Sequence, residues 1–265
     1  ESLTMGGLGM LFYGAYYLLI KRRRVIRALL FLIVGGYLTA YVKVYVILAL
    51  APAMVVWVFL MYREQIRVKW LRMAATPVFL LVGVVGGVVV LQRIGKAFSE
   101  YSMENVLRQA AKTQWWLAVS TERDGGTGYS LGTIDPSVGG LVRIFPKAVN
   151  VTLYRPYIWE ARKPIVLPSA LESLFCLLFS LQILRRLGIW GTIRAIVSDP
   201  VIIFCLIFAI IFAFAVGFST LNFGSLARYK IPCLPFFFAA LILLWDKYRR
   251  LEAEKQALRG AQIAP

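Results

Sequence analysis

Histidine is absent from the 265-residue sequence. That excludes histidine metal sites, histidine general bases and the Ser-His-Asp and Cys-His nucleophilic systems from this chain. Cysteine is nearly absent. Cys176, Cys205 and Cys233 lie in or beside apolar runs, far apart and without C-x-x-C spacing. They read as small core residues, not as a disulfide framework or a zinc site. Acid is scarce as well, with 13 Asp and Glu against 30 Lys and Arg. The glycine-rich run Asp124-Gly125-Gly126-Thr127-Gly128 lacks the strand, helix and following lysine of a phosphate cradle, and reads as a turn. No metal ligand set and no cofactor motif stands in the sequence, so neither a metal nor a cofactor is expected.

What the sequence has in excess is apolar surface. Its residues are 60% hydrophobic and its mean hydropathy is +0.72, beyond the usual range of a water-soluble domain. A span needs about 20 mostly apolar residues. Such runs fall at 4–20, 25–42, 44–62, 74–92, 164–184, 200–219 and 231–246. The expected fold is an all-α integral membrane protein with about seven transmembrane helices and one large outer loop, 93–163, containing interfacial helices. Residues 1–92 then hold four spans, 164–246 three, and 247–265 a basic cytoplasmic tail. Pro52 inside the third span is expected to kink it. The start at Glu1, two residues before an apolar run, leads to the expectation that the chain is the C-terminal portion of a longer protein.

The net charge of +17 has two readings, an anionic partner such as nucleic acid or the cytoplasmic bias of short membrane loops. The clusters Lys21–Arg24, Arg63–Arg72, Arg185-Arg186 with Arg194, and the tail from Lys247 all sit at span ends. Strict alternation puts these four on one side. The long loop, with ten basic and six acidic residues, falls on the other. This selects the membrane reading, with no nucleic-acid partner. It also sets this chain's N-terminus outside and its C-terminus inside; the expected location is the cytoplasmic (inner) membrane, as a multi-pass protein.

Within the loop, 99–119 places Met103, Val106, Leu107, Ala110, Leu117 and Ala118 near one helical face, with Trp115 and Trp116 suited to an interfacial belt. A second interfacial helix is expected over 137–151, after which 153–164 re-enters the membrane. Asn150-Val151-Thr152 matches a glycosylation sequon.

Charge at membrane depth is costly and therefore marks candidates for function. Lys43 occupies the tip of the span 2–3 hairpin, either as a snorkelling interfacial lysine or as a ligand-binding cation. Glu172 lies inside span 5, about two turns from its outer end, either paired structurally to a neighbouring arginine or acting as a base. Arg228 and Lys230 immediately precede span 7, as anchors or as anion ligands. In the loop, Arg155 and Glu160 flank Pro156 among Tyr154, Tyr157 and Trp159. Aromatic faces stack on sugars and arginine grips phosphate bidentately, so this cluster suits a phosphosugar; an ordinary interfacial belt looks the same.

The stretch 222–236 (NFGSLARYKIPCLPF) resembles the RY-x-x-P-x-x-P approach to a late span in bacterial polysaccharide-biosynthesis membrane proteins, the O-antigen polymerase-like and type C glycosyltransferase-like families. Residues 153–172 (LYRPYIWEARKPIVLPSALE) resemble membrane proteins of exopolysaccharide gene clusters. Together these cover about 40 residues well, and the span–loop plan of the rest. The resemblance implies an enzyme working on polyprenyl-linked saccharides at the outer face, with Arg228, Arg155 and Arg143 holding the lipid pyrophosphate. The histidine of the ligase-type relatives is not present, nor is the first outer loop where type C enzymes carry their acid.

Three functions are therefore expected to compete. The first is a lipid-linked saccharide polymerase or glycosyltransferase. It would have Glu160 or Glu172 as catalytic base, Glu160 the better placed, and Arg228, Lys230, Arg155, Arg143, Tyr157, Trp159 and Lys43 binding substrate. The second is a transporter or flippase, which would want repeated halves that the sequence does not show. The third is a non-catalytic subunit packed among other membrane subunits through the small-residue faces Gly35-Gly36 and Gly83, Gly86 and Gly87. The partners expected are membrane lipid, a polyprenyl-linked saccharide and other membrane subunits.

Overall fold

A computed structural model describes residues 2–63, 66, 70, 79, 128–132, 138–161, 163–220 and 222–263. The span expected at 74–92, the helix expected at 99–119 and the glycine face at 83–87 lie outside this set, apart from Phe79. The described residues are helical almost throughout. α1 (Ser2–Ala15) runs on through a wider π turn (Tyr16–Lys21). It is followed by α2 (Val25–Val42), α3 (Val44–Arg63), α4 (Val138–Tyr154), α5 (Leu167–Val197), α6 (Pro200–Thr220), α7 (Phe223–Tyr229) and α8 (Leu234–Ile263). Among the described residues, six segments are long and apolar enough to cross a membrane: 2–21, 25–42, 44–63, 164–197, 200–220 and 231–259. The protein is an all-α, multi-pass membrane protein.

Short connections make successive spans antiparallel. Arg22–Arg24 join α1 to α2, Lys43 alone separates α2 from α3, and Ser198-Asp199 join α5 to α6. Two ends result. A loop end carries Lys43, the described part of 128–166, and 222–233. A basic end carries Lys21–Arg24, Arg63, 185–199 and α8 from Lys247 onward. Pro52 lies inside α3, which continues helical to Arg63.

α6 is the centre. Phe204, Phe208 and Phe212, four residues apart on one face, are fully buried. Trp57 of α3 meets Phe204 with ring centroids 5.2 Å apart, Phe236 of α8 meets Phe208 at 4.6 Å, and Tyr45 meets Phe212 at 5.8 Å. All three cysteines are buried as free thiols, as expected of core residues. α1 and α2 instead interlock through small residues. A Cβ on Gly35 would stand 2.7 Å from the Gly7 carbonyl oxygen, so the backbones touch only because neither glycine has a side chain. The Gly35-Gly36 face, expected to pack against other subunits, thus has Gly35 occupied within the chain, while Gly36 has more room.

α4 begins and ends close to the interfacial helix expected over 137–151 and reaches Tyr154. Its Ile144, Ala148, Val151 and Thr152 are buried. Thr152 donates to the Ala213 carbonyl of α6 at 2.7 Å. A Cβ on Gly217 would collide with the Ala148 carbonyl. The helix is therefore seated in a notch on α6, and Thr152 of the sequon is inside that seat.

α5 does not stop at Arg185-Arg186, where the apolar run suggested a span end. It continues to Leu187, breaks at Gly188 (φ 71°, ψ 170°), a conformation open essentially to glycine alone, and resumes over 189–197.

Candidate functional site

The loop end gathers most of the charged candidates. Local sequence explains how. Asn222 caps α7, its Oδ1 accepting from the Gly224 N–H at 2.7 Å. The seven-residue helix then stops, and a single 3-10 turn, Ile231–Cys233, with Pro232 in it, leads into α8. The tight stop turns Lys230 inward while Arg228 stays outside.

Lys230 is 1% exposed. Its Nζ lies 2.8 Å from Glu172 Oε1 and donates to Ser173 Oγ at 3.0 Å. The contact with Glu172 is a close charge pair without hydrogen-bond alignment. Ser173 Oγ in turn donates to the Arg155 carbonyl at 3.0 Å. The cation of α7–α8, the carboxylate of α5 and the backbone of the α4–α5 connection are thus tied together. Two expectations change. The partner of Glu172 is Lys230, not an arginine, because the α7 stop aims lysine at α5. And Lys230 is a buried group rather than an interfacial anchor.

Arg155 and Glu160 make the second tie. Arg155 Nε donates to Glu160 Oε2 at 2.9 Å, and Nη2 grips Oε1, so the pair is bidentate. The Tyr157 N–H also donates to Oε2 at 2.9 Å. Partial burial pushes the Glu160 carboxyl up, but these bonds outweigh it and hold it below the usual carboxylate value. The same bond to Glu160 raises Arg155 further. The guanidinium also lies 5.4 Å from the Phe223 ring centre, 5.8 Å from that of Tyr157 and 5.9 Å from that of Tyr129. Tyr129 anchors 128–131 on the end of α6, donating to the Gly217 carbonyl at 2.9 Å.

The surface of this end is aromatic and cationic. Tyr157 and Trp159 stack with centroids 4.9 Å apart, and Trp159 is 78% exposed. Lys43 sits 5.0 Å over the Tyr229 ring, which joins the α2–α3 hairpin to α7. Arg228 and Lys163 are exposed, and neither forms an ion pair among the described residues. Arg143 is exposed on α4, about 18 Å along the helix from Arg155, and is not drawn into the cluster. An apolar cavity of about 350 Å³ opens between α1, α3, α6 and α8, lined by Leu8, Phe12, Leu50, Met54, Phe204 and Phe236. Leu50 lies about two helical turns below Lys43.

Sequence reasoning did not single out Ser173, Tyr129 or Phe223. Ser173 was findable, being a second polar residue beside Glu172 in an apolar run. Tyr129 and Phe223 had no such signal, since only the tertiary fold brings them to Arg155. Among the described residues no group of His, Cys, Asp and Glu is arranged to hold a metal. Compared with known proteins, the chain matches no family model, no curated protein and no solved structure.

Proposed function

We propose that this protein acts in surface polysaccharide assembly, holding a polyprenyl-(pyro)phosphate-linked saccharide at the outer face of the cytoplasmic membrane and transferring or polymerising its sugars. The observation that carries this is the presence, at one end of the bundle, of an exposed Arg228 and of the Tyr157–Trp159 stack, whose Trp159 is exposed. An unpaired guanidinium suits phosphate and a stacked aromatic pair suits a sugar ring. The cavity beneath the loop end is apolar, which suits a prenyl tail. The exposed cations of the basic end support a cytoplasmic location for that end, and hence an outward loop end.

The carboxylates differ as candidate bases. Glu160 is held on both oxygens and its proton affinity is depressed, which disfavours it near neutral pH. Glu172 binds Lys230 through Oε1 alone and its side chain is 37% exposed, leaving it the freer acid. On this reading Glu172, not Glu160, is the preferred base.

Arg228→Ala and Glu172→Gln, expressed in the source cells, test the proposal by surface-polysaccharide gel and analysis of lipid-linked intermediates. Loss of long polymer with accumulation of single lipid-linked units is expected for both. Normal polymer in both, with the protein present in the membrane, would overturn the enzymatic reading. A second reading, a subunit that binds the lipid-linked sugar without chemistry, draws on the cation bound to each candidate acid. It predicts that Arg228→Ala alone disrupts assembly.

A further inference from the structure

We propose that the cleft between α5 and α8 at the basic end binds the phosphate headgroup of an anionic phospholipid. The cleft encloses about 650 Å³. Its α5 wall is a single stripe, Leu178, Leu181, Gln182 and Arg185, spaced three, one and three residues apart and so on one helical face. Read toward the basic end, the stripe passes from apolar to amide to guanidinium, the order in which a phospholipid presents acyl chain, glycerol region and phosphate. Leu178 and Leu181 are more than half exposed, so the acyl end is open to the bilayer. This grading selects a lipid over a free phosphate, which would have no use for the leucines.

The cations are available. Arg185 and Arg186 form no ion pair among the described residues, and Arg186 is steadied 5.9 Å over the ring of Tyr248 on the α8 wall. Glu252, the acid in the cleft, lies 3.2 Å from the ammonium of Lys255, which offsets its charge.

A separate feature puts the cleft at headgroup depth. Just past Arg186 the helix breaks at Gly188, and the segment after it exposes Ile189, Trp190, Ile193 and Val197, which share one face. Trp190 is 83% exposed. The other side is strapped to α8, with Lys247 Nζ donating to the Ala195 carbonyl at 3.1 Å and pairing with Asp199 at 3.3 Å. An apolar face with a tryptophan, flanked by Arg185, Arg186 and Arg194, is the pattern of a helix lying in the membrane interface. The bilayer that covers this face also supplies the lipid for the cleft.

The test uses the full chain in detergent, with added phosphatidylglycerol, phosphatidylcholine or soluble glycerol phosphate, read by thermal unfolding and by bound lipid in native mass spectrometry. Phosphatidylglycerol should stabilise and be retained selectively. The paired substitution Arg185→Gln/Arg186→Gln should weaken that retention about tenfold or more, while Arg249→Gln/Arg259→Gln, which removes equal charge outside the cleft, should not. Equal retention of phosphatidylcholine by the wild-type protein would overturn the proposal without recourse to any variant. So would an equal effect of glycerol phosphate, or an equal loss in the Arg249/Arg259 pair.

Discussion

The two ends of the bundle are both rich in cations and use them differently. At the loop end, Lys230 and Arg155 are drawn into the fold against Glu172 and Glu160, while Arg228, Lys163 and Arg143 remain exposed. At the basic end, Arg185, Arg186 and Arg194 are exposed, and Lys247 ties α8 to the α5–α6 connection. A charge taken out of water needs a partner of opposite sign, whereas a charge at the membrane surface needs only headgroups and water. The loop end is thus built around its charges, and the basic end is dressed with them.

The sharpest way to break this contrast is to remove one cation from each end. Lys230→Ala strands Glu172 and Ser173, and is expected to cost about 3 kcal/mol, toward the low side for a buried pair because Glu172 is partly exposed. Arg185→Ala should stay within about 0.5 kcal/mol. Similar losses in detergent unfolding would erase the distinction.

The next effect concerns the seat that places the loop end. Gly217→Ala should push α4 off α6 and cost about 2 kcal/mol, because the methyl would meet backbone and not a yielding side chain. Gly9→Ala, which enters open space on α1, should be neutral or slightly stabilising. Unfolding curves of the two variants side by side decide it.

A smaller effect is set by pH. The Glu160 carboxyl is held below its ordinary value of 4.5, so its tie to Arg155 contributes fully above that range and is lost as the pH falls through the lowered value. Glu160→Gln should therefore be less stable than wild type at neutral pH, with the gap closing in acid. A gap that widened in acid would have the wrong sign. Arg228→Ala should likewise change stability by no more than about 0.5 kcal/mol, since the side chain is exposed and makes no ion pair among the described residues.

The membrane architecture was legible in the sequence because a span announces itself by length and hydropathy, and six described spans fall where apolar runs predict them. The Gly188 break was not, since glycine within an apolar stretch serves equally for close packing, as Gly35 does. At the site, the closeness of Arg155 and Glu160 is visible in the sequence, but it points there to two separate roles and not to the ion pair they form. The Lys230–Glu172 pair joins residues 58 positions apart in sequence, and no local pattern told which cation would turn inward. That depended on the stop of α7, set by Asn222 and Pro232, whose combined effect is geometric.

The proposed role of the outward-facing cations is tested most directly by titrating polyprenyl pyrophosphate into the protein in lipid nanodiscs, wild type against Arg228→Ala. The account predicts saturable binding by wild type and a loss of about tenfold or more in the variant, the worth of a charge-assisted contact to phosphate. Equal affinity in the two proteins, or no binding by wild type, would contradict it.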